Sequence, residues 1–251
     1  MTYNNIINHL KIWCRNNKKG YRKFLRKTYI NSLIADKLEF KLSTLIDVPF
    51  DDVDSLKREL TYFIDIQCRP AVLNPENRFE KNVINKTVQD FCIYMDDILS
   101  RCDELDTAEI PYERMIIGVE AVLLRNKFYS VWKYGDSAYW YPLEKDNTES
   151  VENLFIMSGY FAPYIQQFKQ MIGLPETHLY CFGEDFISTQ NYVETNDLDE
   201  YYGSEMFYTD KNFSWAIYFS HENTVTFAGS IVPKVKELLA NEKVHWNDFE
   251  W

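Results

Sequence analysis

The sequence predicts an α+β protein in two parts, a mostly helical N-terminal region and an α+β domain with a small, mainly antiparallel sheet. Three observations carry this. Apolar residues recur at three- and four-residue steps through the first hundred positions. Short runs rich in aromatic and β-branched residues crowd the stretch after His178. Those runs show no alternation with helices of the kind a doubly wound parallel sheet requires.

Taken in order, Ile6, Ile7, Leu10 and Trp13 predict a first helix that Gly20 ends or bends. A second stretch carries Phe24, Leu25, Thr28, Leu33, Leu38 and Leu42. Asp52 is placed to cap a helix whose apolar face is Val53, Leu56, Leu60, Phe63 and Ile64. Pro70 and Asn74-Pro75 mark a loop. The strongest helical stripe follows, from Val83 to Cys102. The polar, acidic stretch from Asp103 to Glu109 sets the boundary, giving a helical region over 1–105 and an acidic, aromatic-rich domain over 110–251.

Beyond the boundary, Glu113 to Trp132 reads as helix, with Ile116, Val119, Leu123 and Val131 among its apolar positions. Ala138 to Pro142 reads as an aromatic strand, and Val151 to Ile172 as helix with Pro163 suited to a first turn. Strands are then expected at Leu179–Phe182, Met206–Tyr208, Trp215–Phe219 and Thr224–Phe227. Ser220 to Asn223 reads as a hairpin turn, and Pro233 as the start of a last helix, Lys234 to Leu239.

Charge is segregated. No acid precedes Asp36, while eight lysines and arginines lie between Lys11 and Lys27. After residue 150 five lysines face fifteen acids, and the whole chain has a formal charge of −11. Such a field repels nucleic acid, so none is expected as a partner. The basic leader is expected to be a solvated helix face answering the acidic half, in the same molecule or in a second subunit. Five scattered cysteines without a CxxC pair fit reduced thiols. No apolar run approaches the ~20 residues that span a bilayer. A cytoplasmic protein with no membrane partner is expected.

Chemistry-bearing clusters are few. Ser220-His221-Glu222 sets nucleophile, base and carboxylate side by side, but neighbours on an extended chain point to opposite faces. His221-Glu222 opens like HExxH, yet Val225 stands where the second histidine is needed. Glu184-Asp185 offers paired carboxylates after a strand, and Asp197, Asp199 and Glu200 lack the glycine and glutamate of a calcium loop. No Walker, dinucleotide-binding, GxSxG or kinase signature occurs. No metal, cofactor or catalytic residue is assigned on this reading. An enzyme, of hydrolase type, would draw on Glu184, Asp185, His221 and Glu222. A third alternative is a structural or regulatory oligomer.

Pro111-Tyr112-Glu113-Arg114, the segment from Trp132 to Leu143, and Ser214 to Gly229 together resemble uncharacterised bacterial proteins found beside secreted polymorphic toxins. The resemblance covers roughly the last 140 residues and singles out Trp215, His221, Glu222 and Gly229 without attaching a role to them. It implies an immunity protein, an antitoxin that neutralises a toxin, often a nuclease with a basic cleft. On that implication the partner-binding residues are Glu194, Asp197, Asp199, Glu200, Tyr201, Tyr202 and Glu205, with Phe207 and Tyr208 as further aromatic anchors.

Overall fold

The computed structural model describes residues 1–18, 26–132, 140, 152–183, 186–193 and 205–248. The chain divides into two compact units, Met1–Ile110 and Pro111–Trp251.

The first unit is helical: α1 (Asn4–Lys18), α2 (Arg26–Thr44), α3 (Val53–Gln67), α4 (Pro70–Leu73) and α5 (Arg78–Ser100), with a 3-10 turn at Cys102–Glu104. Helix α1 buries Ile6, Ile7, Leu10 and Cys14 against α2 and α5. The apolar face of α5 runs from Val83 through Phe91 to Leu99, and Trp13 meets Phe91 edge-on at 5.1 Å. Side chains start two of these helices. The Asp52 carboxylate accepts the Ser55 N–H, and Asn77 Oδ1 accepts the Glu80 N–H. Pro70, expected in a loop, instead opens the single turn of α4, where its missing N–H costs nothing. The stretch after α5 is strapped back onto α1. Asn5 donates to the Asp106 carbonyl at 3.1 Å and accepts the Ala108 N–H at 2.9 Å. Gly20, Phe24 and Leu25 lie outside the described residues.

The second unit is built on a seven-stranded sheet, β1 (Glu113–Ile116), β2 (Asn153–Met157), β3 (Leu179–Gly183), β4 (Ile187–Gln190), β5 (Met206–Thr209), β6 (Trp215–Phe219) and β7 (Thr224–Gly229). Its order is β1-β4-β3-β5-β6-β7-β2. Every pairing is antiparallel. The described helices are α6 (Gly118–Trp132), α7 (Ser158–Phe161), α8 (Ile165–Met171) and α9 (Val232–Leu238). Both faces of the sheet are covered. Ile217, Phe219, Val225 and Phe227 pack with Phe161, Phe168, Val232 and Val235 on one side. Ala216, Tyr218 and Phe207 pack with Phe128, Trp132 and Trp140 on the other. The period-two alternation of a strand thus feeds two cores, and the fold class is α+β. No helix is long and apolar enough to cross a membrane among the described residues.

Two expectations are corrected, and one strand went unread. Glu113–Ile116 is an edge strand, and the helix begins only at Gly118, whose φ of +66° turns the chain. Asn153–Met157 is a strand on β7, with helical turns following from Ser158. Segments this short fit either state, and sheet pairing decided both. Strand β4 had no signal, because Ser188, Thr189 and Gln190 are polar; all three are buried between β1 and β3. The strand expected over 138–142 lies outside the described residues apart from the buried Trp140.

Candidate functional site

The β6–β7 turn is set by its own sequence. The Asn223 N–H donates to the Ser220 carbonyl, Ser220 N–H donates to Thr224, and Asn223 takes the left-handed conformation with φ of 58°. The Ser220 hydroxyl accepts the Glu222 N–H at 3.2 Å, so it serves the turn.

This geometry aims His221 back toward the start of β5. His221 Nδ1 is in direct contact with Glu205 Oε1, and the His221 N–H donates to the same oxygen at 3.4 Å. On the other side of the ring, Nε2 lies 3.2 Å from Glu222 Oε1. The imidazole is held between two carboxylates. Glu205 is 2% exposed. Burial pushes its carboxyl above the ordinary value, while the Tyr218 hydroxyl and the His221 ring pull the other way.

The expected enzyme cluster is therefore only half assembled. His221 and Glu222 come together, but both ring nitrogens face carboxylates, and Glu184 and Asp185 lie outside the described residues. Glu205, expected on the partner-binding surface, is a correction: it faces inward at the first position before β5, where sequence alone reads a solvated acid. Phe207 and Tyr208 are also corrected, since they fill the two cores on opposite faces of the sheet. Glu194, Asp197, Asp199, Glu200, Tyr201 and Tyr202 lie outside the described residues.

Two cations of the basic leader find acids nearby. Arg15 pairs with Glu39 at 2.8 Å, and Lys18 reaches Asp36 and Glu39 at 2.6 Å each. These acids stand on α2 of the same helical unit, while Lys19, Arg22 and Lys23 of the leader lie outside the described residues. Burial works against ionisation of Glu39, but the hydrogen bonds from Lys18 and Arg15 win and hold its carboxyl below the usual value. All five cysteines are free; burial raises the Cys14 thiol and pushes Cys68 up to about 11, so neither is a ready nucleophile. Among the described residues no group of three or more His, Cys, Asp and Glu side chains is arranged to hold a metal ion.

The feature that sequence reasoning missed is the outer face of α6. Only Phe128 and Trp132 of this helix are buried. Val119, Leu123 and Val131, apolar positions of the expected helix, are all exposed, Val119 by 77% and Leu123 by 63%. Ile117 and Val122 extend the patch at 57% and 58%. On a helix, positions 119, 122 and 123 share one side. The signal was present in the composition: α6 carries apolar residues around most of its circumference, more than one core can cover. At its rim, both terminal guanidinium nitrogens of Arg114 hold the Glu120 carboxylate, and Lys127 sits 4.4 Å over the Phe213 ring.

No family model, curated protein or solved structure matches the chain.

Proposed function

We propose that this chain is a non-enzymatic protein-binding protein, and that its partner docks on the outer face of α6. The observation that carries this reading is the exposure of Val119, Val122 and Leu123 on one side of α6, with Ile117 exposed just before it. Large apolar side chains gathered on one side of a helix lose free energy to water until a partner covers them. The histidine site supports the non-enzymatic part, since an imidazole facing two carboxylates has no ring nitrogen left for a substrate proton.

The partner class that best suits a chain of formal charge −11 is a basic protein, and the proposed biological role is that of an immunity protein neutralising a toxin in the cytoplasm. The free thiols suit a reducing compartment. In this reading the acidic segment from Glu194 to Glu200 steers the encounter and the α6 face supplies the apolar contact. Co-expression with the product of the adjacent reading frame tests it. Cells protected by the native chain and killed with the Val122→Asp, Leu123→Asp variant support the proposal; equal protection by both removes α6 from it, and no toxicity from the neighbour removes the toxin.

A further inference from the structure

The two outer strands of the sheet are built differently. Strand β1 carries Glu113 and Arg114, and charge on an edge strand discourages pairing with another chain. Strand β2 reads Asn-Leu-Phe-Ile-Met, with no charge and no proline. The Gly229 N–H donates to the Glu152 carbonyl and the Ser158 N–H to the Asn223 carbonyl, so the even-numbered positions of β2 bond to β7. Phe155, at the middle of the strand, therefore turns its N–H and C=O outward. An uncharged apolar strand with outward backbone groups is a template for another strand.

In this chain the template is filled from within. The Asn247 N–H donates to the Phe155 carbonyl at 2.9 Å, and the Phe155 N–H donates to Asn247 Oδ1 at 3.1 Å. One residue thus supplies both the donor and the acceptor that a residue of a neighbouring strand would supply. Asn247 does so from the left-handed region, with φ of 54°, which asparagine enters more readily than most side chains. The segment before it is fastened in place. Beyond α9 the chain makes a 3-10 turn over Ala240–His245, in which Glu242 accepts the Tyr164 hydroxyl at 2.9 Å and the His245 ring stacks on Tyr160 at 3.7 Å. Trp246 then packs against the core that holds Leu154 and Phe161.

We propose that residues 240–248 form an edge guard: Asn247 fills the middle of the β2 edge as a one-residue substitute for a strand, and so keeps that edge from pairing with β2 of a second copy of this chain. A second copy is the occupant the edge fits, because the strand is its own complement. Turned antiparallel about Phe155, two copies set Phe155 against Phe155 and Asn153 against Met157. The outward-facing positions of both then meet, and no charge opposes them. The guard does the work that lysine or proline does on other edge strands. It does not rest on the α6 reading.

Sedimentation velocity of the full chain over a range of concentrations, with amide hydrogen exchange at Phe155, tests the guard. Asn247→Gly tolerates the left-handed backbone but removes the acceptor, whereas Asn247→Asp keeps an acceptor oxygen. The glycine variant is expected to exchange the Phe155 amide about tenfold faster, the scale of one hydrogen bond. It is also expected to associate beyond the native state as concentration rises, while the aspartate variant behaves as the native chain. Adding Asn153→Lys, which places a charge on the edge, is expected to reverse that association. A glycine variant that matches the native chain in either readout, or association that persists with Asn153→Lys, overturns the proposal. Should the glycine variant fail to fold, exchange in the native chain decides. A Phe155 amide as slow as that of Ile217, which lies on a strand paired on both sides, supports the guard; the rate of an exposed amide overturns it.

Discussion

Gly229 and Trp132 approach so closely that no side chain fits between them. A Cβ at residue 229 would lie 2.9 Å from Trp132 Cη2 and 2.5 Å from the Ser214 carbonyl oxygen, and Gly229 has a φ of +75°. Conformation and space both demand glycine here, at the end of β7 where the chain passes the C-terminal end of α6. Gly229→Ala is expected to cost on the order of 3 kcal/mol, part backbone strain and part overpacking. Chemical denaturation measures it, and a loss within experimental error would contradict this expectation.

The Arg15–Glu39–Lys18 group makes a pH-dependent contribution of the ordinary carboxylate sign. The Glu39 carboxyl is held below its usual value, so its stabilisation is present above that value and disappears as the pH falls through the lower folded one. Glu39→Gln is expected to destabilise the helical unit by about 2 kcal/mol near neutral pH and to lose less than the native chain on acidification. Midpoints at neutral and acid pH check both halves of that statement.

Asn77 starts α5, the helix that supplies much of the first unit's core. Its side chain accepts the Glu80 N–H at 3.0 Å, and Glu80, itself buried, accepts the Glu76 N–H at 2.9 Å. Asn77→Ala is expected to cost about 1 kcal/mol, and Asn77→Asp to leave stability near native because an acid suits a helix N-terminus. Thermal unfolding followed by circular dichroism distinguishes the two variants.

How far the sequence could be read depended on whether local pattern or sheet pairing decided each element. Asp52 starts its helix, and Trp215–Phe219 with Thr224–Phe227 form the hairpin their residues suggest, because caps, alternation and turn residues act locally. Glu113–Ile116 and Asn153–Met157 became strands only because β4 and β7 offered them edges. Ser188-Thr189-Gln190 carries no apolar signature, and its burial follows from lying between two other strands. At the site, His221 and Glu222 were legible as neighbours, whereas Glu205 was not: sixteen residues separate it from His221, and nothing in an acidic stretch marks which carboxylate turns inward. The α6 face was hidden for the opposite reason, since apolar residues at helical spacing read as core.

The most direct measurement for the binding account is calorimetric titration of the purified chain with the purified product of the adjacent reading frame, at low and high salt. The account expects a one-to-one complex, weaker at high salt, with Leu123→Asp lowering affinity at least about tenfold while its circular dichroism stays native. No binding, or equal binding by a folded Leu123→Asp variant, contradicts it.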